Sequence, residues 1–80
     1  MEKKIVEVIW IDAWSDQAQM AISAAKDAKP MTRTNVGYVL RDDDSCLVMT
    51  FGLIGDNECD MLFTIPKQMI LYPPKELKFD

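Results

Sequence analysis

Between residues 36 and 72 the chain alternates short apolar-rich runs with turn-forming residues, a rhythm that predicts a β-meander. The runs are VGYVLR (36–41), the turn DDDS, CLVMTFGLI (46–54), the turn GDNE and CDMLFTIP (59–66), then KQM and ILY (70–72). They read as two hairpins in series, followed by a short turn into a last strand. Upstream, residues 4–12 (KIVEVIWID) are rich in β-branched residues and read as a first strand. Val6, Val8 and Trp10 fall on one of its faces, and Ile5, Ile9 and Ile11 fall on the other with Glu7. Residues 46–54 are also apolar on both faces: Leu47, Met49, Phe51 and Leu53 on one, Cys46, Val48 and Ile54 on the other beside Thr50 and Gly52. Such strands need cover on both sides, from a helix of the same chain or from another subunit.

Residues 15–29 supply the candidate helix. Ser15 is a good N-cap, Asp16 complements the dipole in the first turn, Lys26 and Lys29 sit near the C-terminal end, and Pro30 stops the run. Its stripe of Ala18, Ala21, Ile22, Ala25 and Ala28 is small enough for close approach to a sheet, so the helix is expected to cover one apolar face. Residues 31–35 (MTRTN) read as a polar connection, and Gly37 as a place for a bend or the close approach of another backbone. Pro66 ends the strand before it, Pro73 and Pro74 close the domain, and residues 75–80 are expected to be a loose tail.

The expected fold is therefore α+β, mainly β, in one domain of residues 1–74, with one helix inserted between the first and second strands. The segment Thr64-Ile65-Pro66-Lys67-Gln68-Met69-Ile70 resembles the short helical turn that joins the last two strands of an SH3-like small barrel. That resemblance implies five strands around a small interior, which Val6, Val8, Trp10, Tyr38, Met49, Phe51, Met61, Phe63 and Ile70 could fill. An Sm-like ring protein shares the meander, but the basic RNA face expected of it is missing. The chain also resembles small uncharacterised proteins encoded by phages and prophages, through Ile11-Asp12-Ala13-Trp14-Ser15, Val36-Gly37-Tyr38-Val39-Leu40 and Thr64-Ile65-Pro66-Lys67 with Ile70. This implies an accessory phage protein in the cytoplasm of a bacterial host cell, and it implies no reaction.

Composition narrows the function classes. A formal charge of −4 argues against a nucleic-acid partner or a basic membrane-binding surface. No apolar run reaches the roughly 18 residues of a membrane span. The chain has no histidine, so the commonest general base and neutral metal ligand are missing. In the expected hairpin register Ile54 faces Cys59 and Cys46 lies opposite Lys67, so the two cysteines are too far apart for a disulfide and read as reduced, packed thiols. The acidic turn Asp42-Asp43-Asp44 lacks the alternate spacing, central glycine and distant glutamate of a Ca²⁺ loop. There is no glycine-rich phosphate loop, and the obvious carboxylates lie on turn tips. The expectation is a non-enzymatic protein with no cofactor and no metal.

Two binding functions remain. One is a homo-oligomer that counteracts a host defence by enclosing a nucleotide-type signal at its subunit junctions. The other is an interaction module that binds and inhibits a host immunity or replication protein. For the first, Arg33 between the hydroxyls of Thr32 and Thr34 is the phosphate-facing candidate, with Lys67 behind it and Trp14 or Tyr38 to stack on a base. The surplus of apolar faces predicts self-association, most simply a two-fold dimer, through Ile5, Ile9, Ile11, Val48 and Leu62.

Overall fold

The computed structural model describes residues 3–13 and 18–78. Five antiparallel strands form one open sheet, β1 Ile5–Asp12, β2 Met31–Asp42, β3 Cys46–Ile54, β4 Glu58–Pro66 and β5 Lys75–Leu77, in the order β4-β3-β2-β1-β5. A short helix α1, Ile22–Lys26, lies between β1 and β2, and a 3₁₀ turn, Lys67–Met69, follows β4. No helix among the described residues is long and apolar enough to cross a membrane.

The sheet is organised by β2, which is shared between two neighbours. Its first part pairs with β1, from Asp12↔Met31 to Ile5↔Tyr38, and its last part pairs with β3, from Tyr38↔Thr50 to Asp42↔Leu47. Gly37 stands at the handover, where a Cβ would come within 2.6 Å of the Thr50 carbonyl oxygen. Only glycine lets the two backbones meet there. The pairing slips between Val39 and Arg41, leaving Leu40 as the extra residue of a bulge. Side chains alternate along a strand, so without the bulge Arg41 would share the face of Val39 and point into the core. With it, Val39 packs on the core while Arg41 turns to the other face, where its Nη2 donates to Cys46 Sγ at 2.7 Å.

The core is Val6 and Val8 of β1, Leu47 and Met49 of β3 and Ile65 of β4, packed against Trp10, Val39, Phe63 and Ile70. Residues of β1, β3 and β4 share this one cluster although two strands separate β1 from β4 in the sheet, so the sheet curls over it. Full burial of each such side chain stabilises the fold by about 1.5–3 kcal/mol. After the 3₁₀ turn the chain crosses to the outer edge of β1. Leu71 N donates to Ile9 O at 3.0 Å, Ile70 bridges to Trp10, and β5 then pairs with Ile5–Glu7.

Several expectations need correction. The first-face residues of β1 lie inside as expected, but Tyr38 is only half-buried and Val39 packs on the core instead, while Phe51 and Met61 are 39% and 64% exposed. Residues 31–35 are strand, because β-branched Thr32 and Thr34 face Ile11 and Ile9 across a regular ladder. The expected final strand at 70–72 is a single bridge at Ile70, and residues 75–77 of the supposed loose tail form β5, since Pro73 and Pro74 interrupt the pairing and cannot donate to it. The second turn holds three residues, Gly55 with φ +59°, Asp56 and Asn57, so Leu53 rather than Ile54 faces Cys59, and Cys46 faces Pro66. Cys46 is buried but Cys59 is exposed; both are free.

The helix differs most. It spans only Ile22–Lys26, starts after Ala21 with no side-chain cap and buries no residue. The expected cap Ser15, with Asp16, lies outside the described residues. A connection whose ends, Asp12 and Met31, are paired directly opposite each other leaves and returns at the same end of the sheet. Its helix therefore projects from that end and does not lie across an apolar face.

Candidate binding site at the open end of the core

One face of β1 and β2 runs from the core to solvent. Val6 and Val8 lie on it, opposite Gly37 and Asn35, followed by Trp10 opposite Arg33 and Asp12 opposite Met31. The first part of this row is sealed by Leu47, Met49 and Ile65, whereas the last part has polar residues. Trp10 Nε1 donates to Asn35 Oδ1 at 2.6 Å, and Arg33 Nε donates to Asp12 Oδ2 at 2.5 Å. Both pairs are the register neighbours or diagonals that a regular antiparallel ladder brings within reach.

This arrangement leaves usable chemistry at the surface. Asp12 engages Arg33 through Nε, so the two Nη groups still offer four N–H donors in a planar fork suited to carboxylate or phosphate. The Arg33 side chain is 49% exposed. Asn35 spends its carbonyl oxygen on Trp10 and keeps its amide N–H₂ for a ligand, and half-buried Trp10 contributes an indole beside them. A guanidinium, an amide and an aromatic ring on one face match the needs of a planar, anionic group.

The residues expected to form a site are divided by the structure. Arg33 sits on the core-side face, while Thr32, Thr34 and Tyr38, an odd number of positions away along an unbroken ladder, share the opposite face with Ile5, Ile9 and Ile11. Lys67 is at the far end of β2, roughly 30 Å of strand from Arg33, where its Nζ binds Asp42. Trp14 lies outside the described residues. Trp10, Asn35 and Asp12 are the neighbours that the sequence reading missed. Their signal was available only through the pairing Trp10↔Arg33, which required residues 31–35 to be read as strand.

The other end of β2 is held together by its own charges. The Asp43 carboxylate accepts from the backbone N–H groups of Cys46 at 3.0 Å and Ser45 at 2.9 Å, and it pairs with Arg41 Nε at 3.0 Å. These N–H donors, more than the nearby cations, hold the Asp43 carboxyl below the usual carboxylate range. The Cys46 hydrogen bond, then the Asp43 charge, raises the already high pKa of Arg41, and the Asp42 hydrogen bond raises that of Lys67. The acidic turn thus uses Asp43 to fasten its own hairpin and Asp42 to tie that hairpin to the 3₁₀ turn at Lys67.

A pocket of about 240 Å³ lies at the β3–β4 tip, lined by Leu40, Leu53, Asp56, Asn57, Glu58 and Cys59. Its two carboxylates disfavour an anionic ligand. The interface residues expected from sequence fall into two groups: Ile5, Ile9, Ile11 and Val48 are half-buried within the chain, whereas Leu62 on the edge strand β4 is 61% exposed. Comparison of the chain with protein-family models, with curated proteins and with solved structures finds no match.

Proposed function

We propose that the protein is a non-enzymatic phage accessory protein that works as a homo-oligomer in the host bacterial cytoplasm and sequesters a nucleotide-type signal. The observation that carries the ligand class is the convergence of Arg33, Asn35 and Trp10 at the open end of the core. A phosphate would take the Nη groups of Arg33 and a base would lie on Trp10, while Asp12 keeps the guanidinium oriented. Met31, opposite Asp12, exposes apolar surface beside this cluster, and Met20 and Ile22 expose more on the connection that precedes it, so a second copy laid against this end would enclose the ligand. The strand order, the curl over one core and the 3₁₀ turn between β4 and β5 support reading the sheet as an SH3-like small barrel whose two edges remain apart.

Native mass spectrometry of the purified protein, before and after mixing with a small-molecule extract of phage-infected bacteria, tests this reading. The expected result is an oligomer that gains a discrete mass in the nucleotide range, and loses that gain in Arg33→Gln with its circular dichroism unchanged. An oligomer that gains nothing overturns the sequestration reading.

The second reading, a module that inhibits a host protein, is favoured by the edge strand β4, where Met61 and Leu62 are more than 60% exposed and the backbone pairs on one side only. An unpaired apolar edge is a ready template for another chain. Affinity capture from host lysate of a partner lost in Leu62→Glu supports it.

A further inference from the structure

The helix-bearing connection and the β3–β4 tip are each incomplete, and in complementary ways. Helix α1 has five residues and buries none of them. Isolated helices shorter than about 12–15 residues are marginal in water, because nucleation fixes several dihedrals for one hydrogen bond. Its helical form therefore calls for a surface to pack on, and none of its five residues is buried among the described residues. Ile22 at its start is 75% exposed, the most exposed of the large apolar side chains among the described residues, with Met20 at 47%.

The tip offers what the connection lacks. Beyond Thr50, β3 has parted from β2 and pairs only with β4, so Leu40 and Leu53 floor an uncovered pocket rimmed by Asp56 and Glu58. Residues 55–61 carry Asp56, Glu58 and Asp60 and no cation, whereas residues 18–30 carry Lys26 and Lys29 against a single Asp27. Apolar floor with acidic rim meets apolar residue with basic neighbour.

The area agrees with such a union. The chain exposes 6427 Å², where a compact monomer of its mass exposes about 4,900 Å². The surplus of about 1,500 Å² lies within the 1,000–2,500 Å² that each partner of an obligate dimer buries. The radius of gyration points the same way, at 15.9 Å against about 12 Å for a compact chain of this length.

We propose that the connection of residues 18–30 in one copy seats on the β3–β4 tip of a second copy, with Ile22 over Leu40 and Leu53 and Lys26 facing Asp56 and Glu58. Reciprocal seating closes a two-fold dimer. This rests on the homo-oligomer reading above and assigns its interface.

Exposed Cys59 lines the pocket and serves as a native reporter. Isotope-labelled I22C/C59S protein is mixed with unlabelled wild type, oxidised with diamide and mapped by mass spectrometry. The expected product is a heavy–light disulfide between the introduced thiol and Cys59, formed at least about tenfold more than with K75C/C59S, since a disulfide needs Cα atoms within about 7 Å. A wild-type oligomer with no such product above control overturns the placement of the connection and leaves the homo-oligomer standing. A wild type that is monomeric in native mass spectrometry overturns both. In the single variant I22C, which keeps Cys59, a disulfide closed within one chain places the helix on its own hairpin and overturns the exchange. A charge swap supplies the second readout: K26E weakens the dimer by about five- to tenfold, and D56K/E58K combined with K26E restores it. No restoration counts against the pairing.

Discussion

The two halves of β3 are built from similar residues and have opposite fates. Cys46 to Thr50 lie between β2 and β4, and four of these five residues are buried. Phe51 to Ile54 continue the same strand, but β2 has left, and Phe51 and Ile54 are 39% and 53% exposed. Hydrophobicity does not separate them. The handover at Gly37 does: from Cys46 to Thr50 β3 has neighbours on both edges, and beyond Thr50 only β4, where Phe51 meets the Phe63 ring edge-on at a separation of 4.7 Å. A side chain's burial here is decided by how far its neighbour strand runs.

The strongest way to break this comparison is to cut into each half. Ile65→Ala or Leu47→Ala removes a fully buried side chain and should destabilise the fold by about 2–5 kcal/mol at any protein concentration. Met61→Ala or Leu62→Ala should change the stability of the single chain by no more than about 0.5 kcal/mol. Urea unfolding at a concentration low enough to hold the chain monomeric checks both. Equal costs at Ile65 and Leu62 would mean that the open half of β4 is covered within the chain after all.

The handover comes next in size. A Cβ at residue 37 meets the Thr50 carbonyl, a backbone group that cannot rotate away, so Gly37→Ala should cost about 1–3 kcal/mol and loosen the β2–β3 pairing. Gly55 is the control. Nothing crowds it, and only its left-handed φ of +59° opposes a side chain, so Gly55→Ala should cost about 1 kcal/mol. Thermal unfolding ranks the two. The reverse order would remove the close approach from its organising role.

How much of this was legible in the sequence follows from what each segment's neighbours demand. The alternation in residues 36–66 located two hairpins, and the face of Val6, Val8 and Trp10 was identified because β1 has a regular period of two. Gly37 was legible as a close approach because glycine inside a strand has few other uses. Three things were hidden. The bulge at Leu40 turns Arg41 away from the face that Val39 shares with the core, and bulges leave no clear mark on the pattern of residues. The threonines of residues 31–35 carry strand propensity but too little hydrophobicity to announce it, so the neighbourhood of Trp10, Asn35 and Arg33 could not be assembled. The helix stripe was real as a periodicity, yet its fate depended on the pairing Asp12↔Met31, a long-range fact that turns the connection away from the sheet. Function was the least legible, because the candidate site exists only across two strands.

The smallest effect belongs to the acidic turn, which seals the opposite end of the same ladder. Asp43 fastens β2 to β3 through the Ser45 and Cys46 N–H groups, and these hold its carboxyl below the value of about 3.9 it has in the unfolded chain. A group depressed in the folded state contributes fully above its unfolded value and loses that contribution as the pH falls through the folded one. Asp43→Asn keeps an acceptor oxygen but has no charge to lose, so it should lower the melting temperature slightly at pH 7. The gap should then close as the pH falls below about 3.9. The shift is small because Asp43 and Arg41 are both largely solvent-exposed and screened. A gap that stays constant down to about pH 2, below the usual carboxylate range, would mean that Asp43 works through the shape of its hydrogen bonds and not through its charge. The turn would then hold the sealed end of the sheet by geometry alone, as Gly37 does at the handover.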